Sequence, residues 1–261
     1  VQFDGFQVEV ATFRTDGEYK DGRHPTEVKF ATPQEDALRR DFTINAMFYD
    51  PLNKTIYDFV EGRKDLNAQI IKAVGDASKR FEEDKLRMLR AVRFSAQLDF
   101  AIEEQTLKAI QKKRREVMVV SKERIHQELT KMFASKALLR GLKYLKETHL
   151  NEVLLESFKN FKDFENRFDK SVQLLKNFKN LDETTKLSLF FHPFFENTFN
   201  SLSAIEDFLK DFKFSSQIIK AIKFNFEQLK WMQTFMTHRE GEVLEFIFSP
   251  EGKTFLSYYA E

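Results

Sequence analysis

The chain has 261 residues, with 42 lysines and arginines against 41 aspartates and glutamates, and no cysteine. That length can bury a large core, as one big domain or as two or three small ones. The missing cysteines exclude disulfides, thiolate metal sites and cysteine nucleophiles and suit the reducing cytoplasm, while no run of about eighteen apolar residues offers a transmembrane helix.

The chain opens in short runs with strand character: FQVEVATF at 6–13, EVKFA at 27–31, NAMFYD at 45–50 and TIYDFV at 55–60. The first ten residues lack the grammar of a signal peptide. Three of the five prolines and five of the eight glycines precede residue 76, which marks a turn-rich α/β region. From Asp76 onward apolar residues recur at three and four, as in Leu86, Leu89, Val92 and Ala96, then Leu107 and Ile110, then Ile125, Leu129 and Met132. That period predicts helices almost to the end. The expected fold class is therefore α/β, with a mixed β-sheet, followed by all-α. Because the chain begins inside a strand-like run with nothing to cover a sheet edge, a preceding segment is expected.

Charge follows the same division. Residues 1–75 carry 10 basic and 13 acidic side chains, 76–146 carry 18 and 10, and 147–261 carry 14 and 18, so the middle third stands at +8 between flanks of −3 and −4. Such a zone is what a docking phosphate backbone requires, and a lysine-rich solvated surface gives the same count. Within it, Lys112, Lys113, Arg114, Arg115 and Arg124 are the candidate RNA contacts.

Two strings carry chemistry. ALRRDFTINAMF predicts a helix ending near Arg39, a turn held by Asp41 and Asn45, and a segment turning Ile44, Ala46, Met47 and Phe48 inward. Arg39 and Arg40 would project as a clamp for a phosphate chain, or stand as a surface pair beside a capping aspartate. In RFEEDKLRMLRAVRF, residues 80–94, Asp84, Arg87, Arg90 and Arg93 recur every third residue of an expected helix. Each step of three advances about 300°, so neighbours in the series touch. An Asp84–Arg87 pair presents acceptor and donors in one plane, which matches the amine and ring acceptors shared by cytosine and adenine. An ordinary salt-bridged helix face is the plainer reading. Two further segments read alone as a hinge, YDFVEGRKDLNAQIIKAVGD at 57–76, and as a capped helix, VSKERIHQELTKMF at 120–133, with Ser121 as N-cap and Arg124 and Glu128 at i, i+4.

Taken together these four strings resemble the class II tRNA nucleotidyltransferases, the CCA-adding enzymes, and their bacterial poly(A) polymerase relatives. RRDFTINAMFYD is similar to the family motif RRDFTxNA, EDKLRMLRAVRF to EDxxRxxRxxRF, and VSKERIHQEL to the next neck-helix motif. YDFVEGRKDL with IIKAVGD is similar to the head-to-neck motif that usually ends IRxVGD, with Lys72 in place of the arginine. Order and spacing agree from residue 6 to about 133. The resemblance implies a nucleotidyltransferase head over 1–74, a helical neck that selects nucleotides and binds RNA over 75–146, and a tRNA-binding body and tail over 147–261. It also implies CCA addition to tRNA from CTP and ATP. Arg40, Asn45, Asp84, Arg87, Arg90 and Arg93 would bind nucleotide, Asp84 with Arg87 reading the base, and Asp41 would contribute to catalysis.

The family's Gly-Gly-x-x-Arg-Asp turn and its Asp-x-Asp ligands for Mg²⁺ do not occur in this sequence. They are expected in an N-terminal segment of roughly a hundred residues, the size that would complete a domain, without which the chain would be inactive. No metal ligand is assigned here: Glu9 is a possible extra carboxylate, His126 and His192 read as packing or surface residues, and no histidine is followed by aspartate as an appended phosphohydrolase would need. Helices with Phe158, Phe161, Phe164, Phe168 and Phe178 are expected to form core. Two alternatives stay open, an A-adding or poly(A) polymerase relative and a non-catalytic RNA-binding module. No membrane or protein partner is expected.

Overall fold

The computed structural model describes residues 2–3, 6–7, 10–17, 27–159, 161–177, 181–195 and 199–233. Strands β1 (Gln2–Phe3) and β2 (Phe6–Gln7), β3 (Arg14–Asp16) and β4 (Val28–Phe30), and β5 (Met47–Asp50) and β6 (Thr55–Asp58) pair antiparallel, while β7 (Ile70–Ile71) pairs parallel with β8 (Ala101–Ile102). The expected mixed sheet is thus, among the described residues, four separate two-stranded ladders. Of the run 6–13, Phe6 and Gln7 lie in a strand and residues 10–13 do not; Glu9 and Phe178 lie outside the described residues.

Helix α1 (Pro33–Leu38) starts where local chemistry demands it. Thr32 and Glu35 form a reciprocal capping box, and Pro33 supplies a fixed φ at the first turn. After α1 the chain enters a short 3₁₀ turn, Thr43–Asn45, then β5. The β5–β6 connection is set by Asp50, which accepts from the backbone N–H of Leu52 and Asn53 and from the Asn53 amide. Helix α2 (Gly62–Asn67) follows Glu61 in the left-handed region, φ 62°, and the Asp58 carboxylate accepts from the N–H of Val60, Gly62 and Arg63. Gly62 is required by contact rather than by φ: a Cβ there would stand 2.3 Å from the Thr43 carbonyl oxygen.

The helices are α3 (Ala77–Glu83), α4 (Leu86–Leu98), α5 (Glu104–Lys113), α6 (Lys122–Phe133), α7 (Leu138–Glu147), α8 (Leu150–Leu154), α9 (Phe164–Asn177), α10 (Glu183–Phe191), α11 (Phe199–Asp211) and α12 (Ser216–Gln233). The α/β-then-α order read from the sequence holds. The chain divides into two compact units, Val1–Val120 with Lys143–Asn151, and Ser121–Leu142 with Glu152–Glu261.

In the first unit Phe42, Ala46, Ile71, Phe81, Met88, Val92 and Ile110 are fully buried. Ala46 is the one inward residue of its predicted set to be fully buried; Phe42, rather than Ile44, anchors the turn, its ring edge-on to Phe94 at 5.8 Å. In the second unit Phe158 and Phe168 are buried as expected, while Phe161 and Phe164 are only partly buried. The Phe158 ring meets those of Phe161, Phe191, Phe194 and Phe208 at 5.3–5.8 Å, and Phe168 packs on Phe190. Ser121 occupies the N-cap position of α6, but its side chain makes no capping bond.

Candidate nucleotide-binding site

The site is built where α1 ends, the chain turns, and α3 and α4 cross beneath it. Helix α1 carries no basic residue in its last turn, so its terminal carbonyls need donors from elsewhere. Arg80 donates to the Leu38 carbonyl at 3.0 Å and Arg87 to the Arg39 carbonyl at 3.0 Å. The two guanidiniums are joined by Glu83, which accepts from Arg80 at 2.5 Å and from Arg87 at 2.6 Å. A cavity of about 250 Å³ lies alongside, lined by Thr15, Gly17, Glu35, Leu38, Arg39, Arg80 and Glu83.

On the other side of the turn, Asp41 is the hub. Its Oδ1 accepts from the Phe42 N–H at 2.8 Å and from the Asn45 amide at 3.2 Å. Its Oδ2 accepts two bonds from Arg90, at 2.8 and 2.6 Å. The carboxylate is 8% exposed and committed to these donors. In this geometry Asp41 holds the turn and Arg90. The Thr43 hydroxyl donates to the buried Asp65 at 2.7 Å, and the Thr43 N–H donates to the Lys72 carbonyl, which pins the turn to α2 and to the approach of β7.

The Asp84–Arg87 pair differs most from expectation. Helix α3 stops at Glu83, and Asp84 is extended, φ −143° and ψ 107°. Its side chain accepts from the Leu86 N–H at 3.0 Å, a local turn just before α4. The two residues therefore do not share one helix. Arg87 is 9% exposed, in the Glu83 network. Arg93 is also turned inward, 5% exposed, its guanidinium 3.6 Å from the Phe94 ring centre and bonded to Gln97.

Asp41 is thus bonded to Asn45 and Arg90, while the Arg40 guanidinium turns to Asp36. Of the candidate RNA contacts, Lys112 and Arg115 are exposed, Arg114 donates to the Gln111 carbonyl, and Lys113 is held by Glu82 at 2.7 Å, the bond that raises its pKa. Arg124 belongs to the second unit. Sequence reading missed Asp36, which is 1% exposed and accepts from Arg39 and Arg40 together; its spacing of three and four before them was the available signal. It missed Glu83 and Asp65 as well.

Among the described residues no group of three or more histidines and carboxylates could hold a metal ion. With Asp41 committed, the residues in view do not fit a Mg²⁺ site.

Comparison with known proteins gives this geometry a context. Residues 1–72 match a family model described as the poly A polymerase head domain, and 99–162 match one described as the probable RNA and SrmB-binding site of polymerase A. A CCA-adding enzyme of Pediococcus pentosaceus is 40% identical over 224 residues, 84% of this chain and 53% of that protein. One from Staphylococcus haemolyticus is 50% identical over 133 residues, 51% of this chain and 33% of its own. Over these spans the chain is similar to the CCA-adding enzymes and poly(A) polymerases. The crystal structure of the Bacillus stearothermophilus CCA-adding enzyme in complex with CTP superposes on this chain with a TM-score of 0.69 at 27% identity, covering 98% of this chain and 65% of that one. The chain spans about half the length, or less, of the curated relatives it matches. No helix among the described residues is long and apolar enough to cross a membrane.

Proposed function

We propose that the protein carrying this chain adds CCA to the 3′ end of tRNA from CTP and ATP in the cytoplasm, with residues 1–74 acting as part of the head, 75–146 as neck and 147–261 as body and tail. The observation that carries this reading is the cluster Arg40, Asp41, Asn45 and Arg90. It is a rigid turn with one half-exposed guanidinium at its mouth, in a chain whose curated relatives are named CCA-adding enzymes. Arg40 meets the triphosphate; Asn45 and Asp41 hold the turn; Arg90, anchored on Asp41, presents its remaining N–H groups beside it. Arg93 stiffens α4 under the site. Asp84 and Arg87 read the base edge only after Arg87 exchanges Glu83 for nucleotide, so selection carries a local rearrangement. Lys112, Lys113, Arg114, Arg115 and Arg124 contact RNA phosphate. Mg²⁺, which would polarise the phosphoryl group, would take its ligands from outside the described residues.

Primer extension on tRNA lacking its terminal CCA, with CTP alone, tests the proposal. Incorporation of C supports it. Incorporation from ATP only, on tRNA or other RNA, selects the A-adding or poly(A) reading, and salt-sensitive tRNA binding without any extension selects an RNA-binding module.

A further inference from the structure

We propose that Asp36 is a positioning residue of the nucleotide site: one buried carboxylate holds the guanidiniums of both Arg39 and Arg40 and so fixes where Arg40 meets a triphosphate. This rests on the reading of Arg40 given above. Asp36 Oδ1 accepts from Arg39 Nε at 2.9 Å and Nη2 at 2.5 Å and from the Arg14 N–H at 3.3 Å. Oδ2 accepts from Arg40 Nε at 3.0 Å and Nη2 at 2.7 Å. Each oxygen therefore takes one edge of one guanidinium, and the two planes are set by one buried carboxylate.

The two arginines are not equivalent. Arg39 Nε also donates to the Arg14 carbonyl, and its side chain is 21% exposed, so it ties β3 to the end of α1. The Arg40 side chain is 41% exposed, lies 5.9 Å from the Phe48 ring, and leaves Nη1 without a protein acceptor among the described residues. Two guanidiniums on one carboxylate keep a net positive charge, so the fork still attracts phosphate. Holding the planar fork before the ligand arrives removes rotamer entropy that a free surface arginine would lose on binding. Burial pushes the Asp36 carboxyl upward, but the bonds from Arg40 and Arg39 and then from Arg14 outweigh it and keep the group ionised, below the ordinary aspartate range. An asparagine here would turn an NH₂ donor against the donors of one arginine, which breaks the fork at nearly constant volume.

The test uses the full chain with CTP and ATP as probes. In wild type, ¹⁵N spectra are expected to show the Nε–H signals of Arg39 and Arg40 protected from solvent exchange; rapid exchange of both overturns the fork without reference to any ligand. In Asp36→Asn both signals lose protection and nucleotide Kd rises about tenfold, the size expected from loss of charge-assisted bonds. Asp36→Glu recovers part of the affinity. In a double-mutant cycle the effect of Asp36→Asn disappears once Arg40 is glutamine, because the carboxylate acts through that arginine. Multiplicative effects mean a structural role alone and overturn the proposal. A wild-type chain that binds neither nucleotide while its Nε–H groups stay protected overturns the functional half of the proposal through the failure of the Arg40 reading, an outcome distinct from a fork that never forms.

Discussion

Arg90 and Asp41, 49 positions apart, are joined by two hydrogen bonds to a single carboxylate oxygen, at 2.8 and 2.6 Å. Helix α4 and the turn after α1 are thereby one mechanical part. Replacing Arg90 with methionine leaves a nearly buried carboxylate with only its turn bonds, and urea denaturation should show a loss of about 2 kcal/mol. This is less than for a fully buried pair because Arg90 is 32% exposed. Arg90→Lys should recover less than half, since an ammonium cannot reproduce the two-bond geometry.

The same turn is braced from below by Thr43. Thr43→Val removes the donor to Asp65, which is 6% exposed, and should cost about 1–3 kcal/mol. Gly62→Ala should be comparably costly by a different route. Its Cβ would fall 2.3 Å from the Thr43 carbonyl oxygen and 2.8 Å from Met47 Cγ, so backbone must shift. If Gly62→Ala melts with wild type, the contact is not the reason for glycine.

In the second unit the phenylalanine cluster should dominate stability. Phe158→Ala opens a cavity among four rings and should cost about 3–5 kcal/mol by denaturant titration, whereas Phe158→Leu should cost markedly less.

Stability should also fall on mild acidification. Burial holds His126 and His192 below the ordinary histidine value of 6.5, Glu183 only partly opposing it at His126. A pKa lower in the folded state means that the unfolded chain takes up protons first. The stability tied to the neutral rings is therefore complete above 6.5 and is lost as pH falls through the lower folded values. Thermal melts from pH 7.5 to 5.5 should show a declining midpoint, and His126→Leu should flatten part of the decline. The carboxylates act lower: the Asp36 contribution is complete above 3.8 and erodes only beneath it.

How far the sequence could be read follows from which forces act locally. The end of α1 near Arg39, the turn after it and the helical period after Asp76 depend on neighbouring residues, and they were legible. The Asp41–Asn45 bond that holds the turn was legible for the same reason. The break at Asp84 was not, because the EDKL string satisfies a helical apolar period while Asp84 spends its side chain on the Leu86 N–H. Arg87 and Arg93 were read as outward charges. Their inward turn depends on tertiary acceptors, the Arg39 carbonyl 48 positions away for Arg87 and the Phe94 ring for Arg93, which periodicity does not show. Asp36 was overlooked because a helix-end aspartate looks like surface until both arginines are seen folding back on it.

The most direct measurement is a crystal structure of the chain with CTP bound. The account predicts triphosphate oxygens within hydrogen-bond distance of Arg40, and the Arg87 guanidinium released from Glu83 toward the cytosine edge. CTP bound elsewhere, or a bound CTP with Arg87 still on Glu83 and the Arg39 carbonyl, would contradict it.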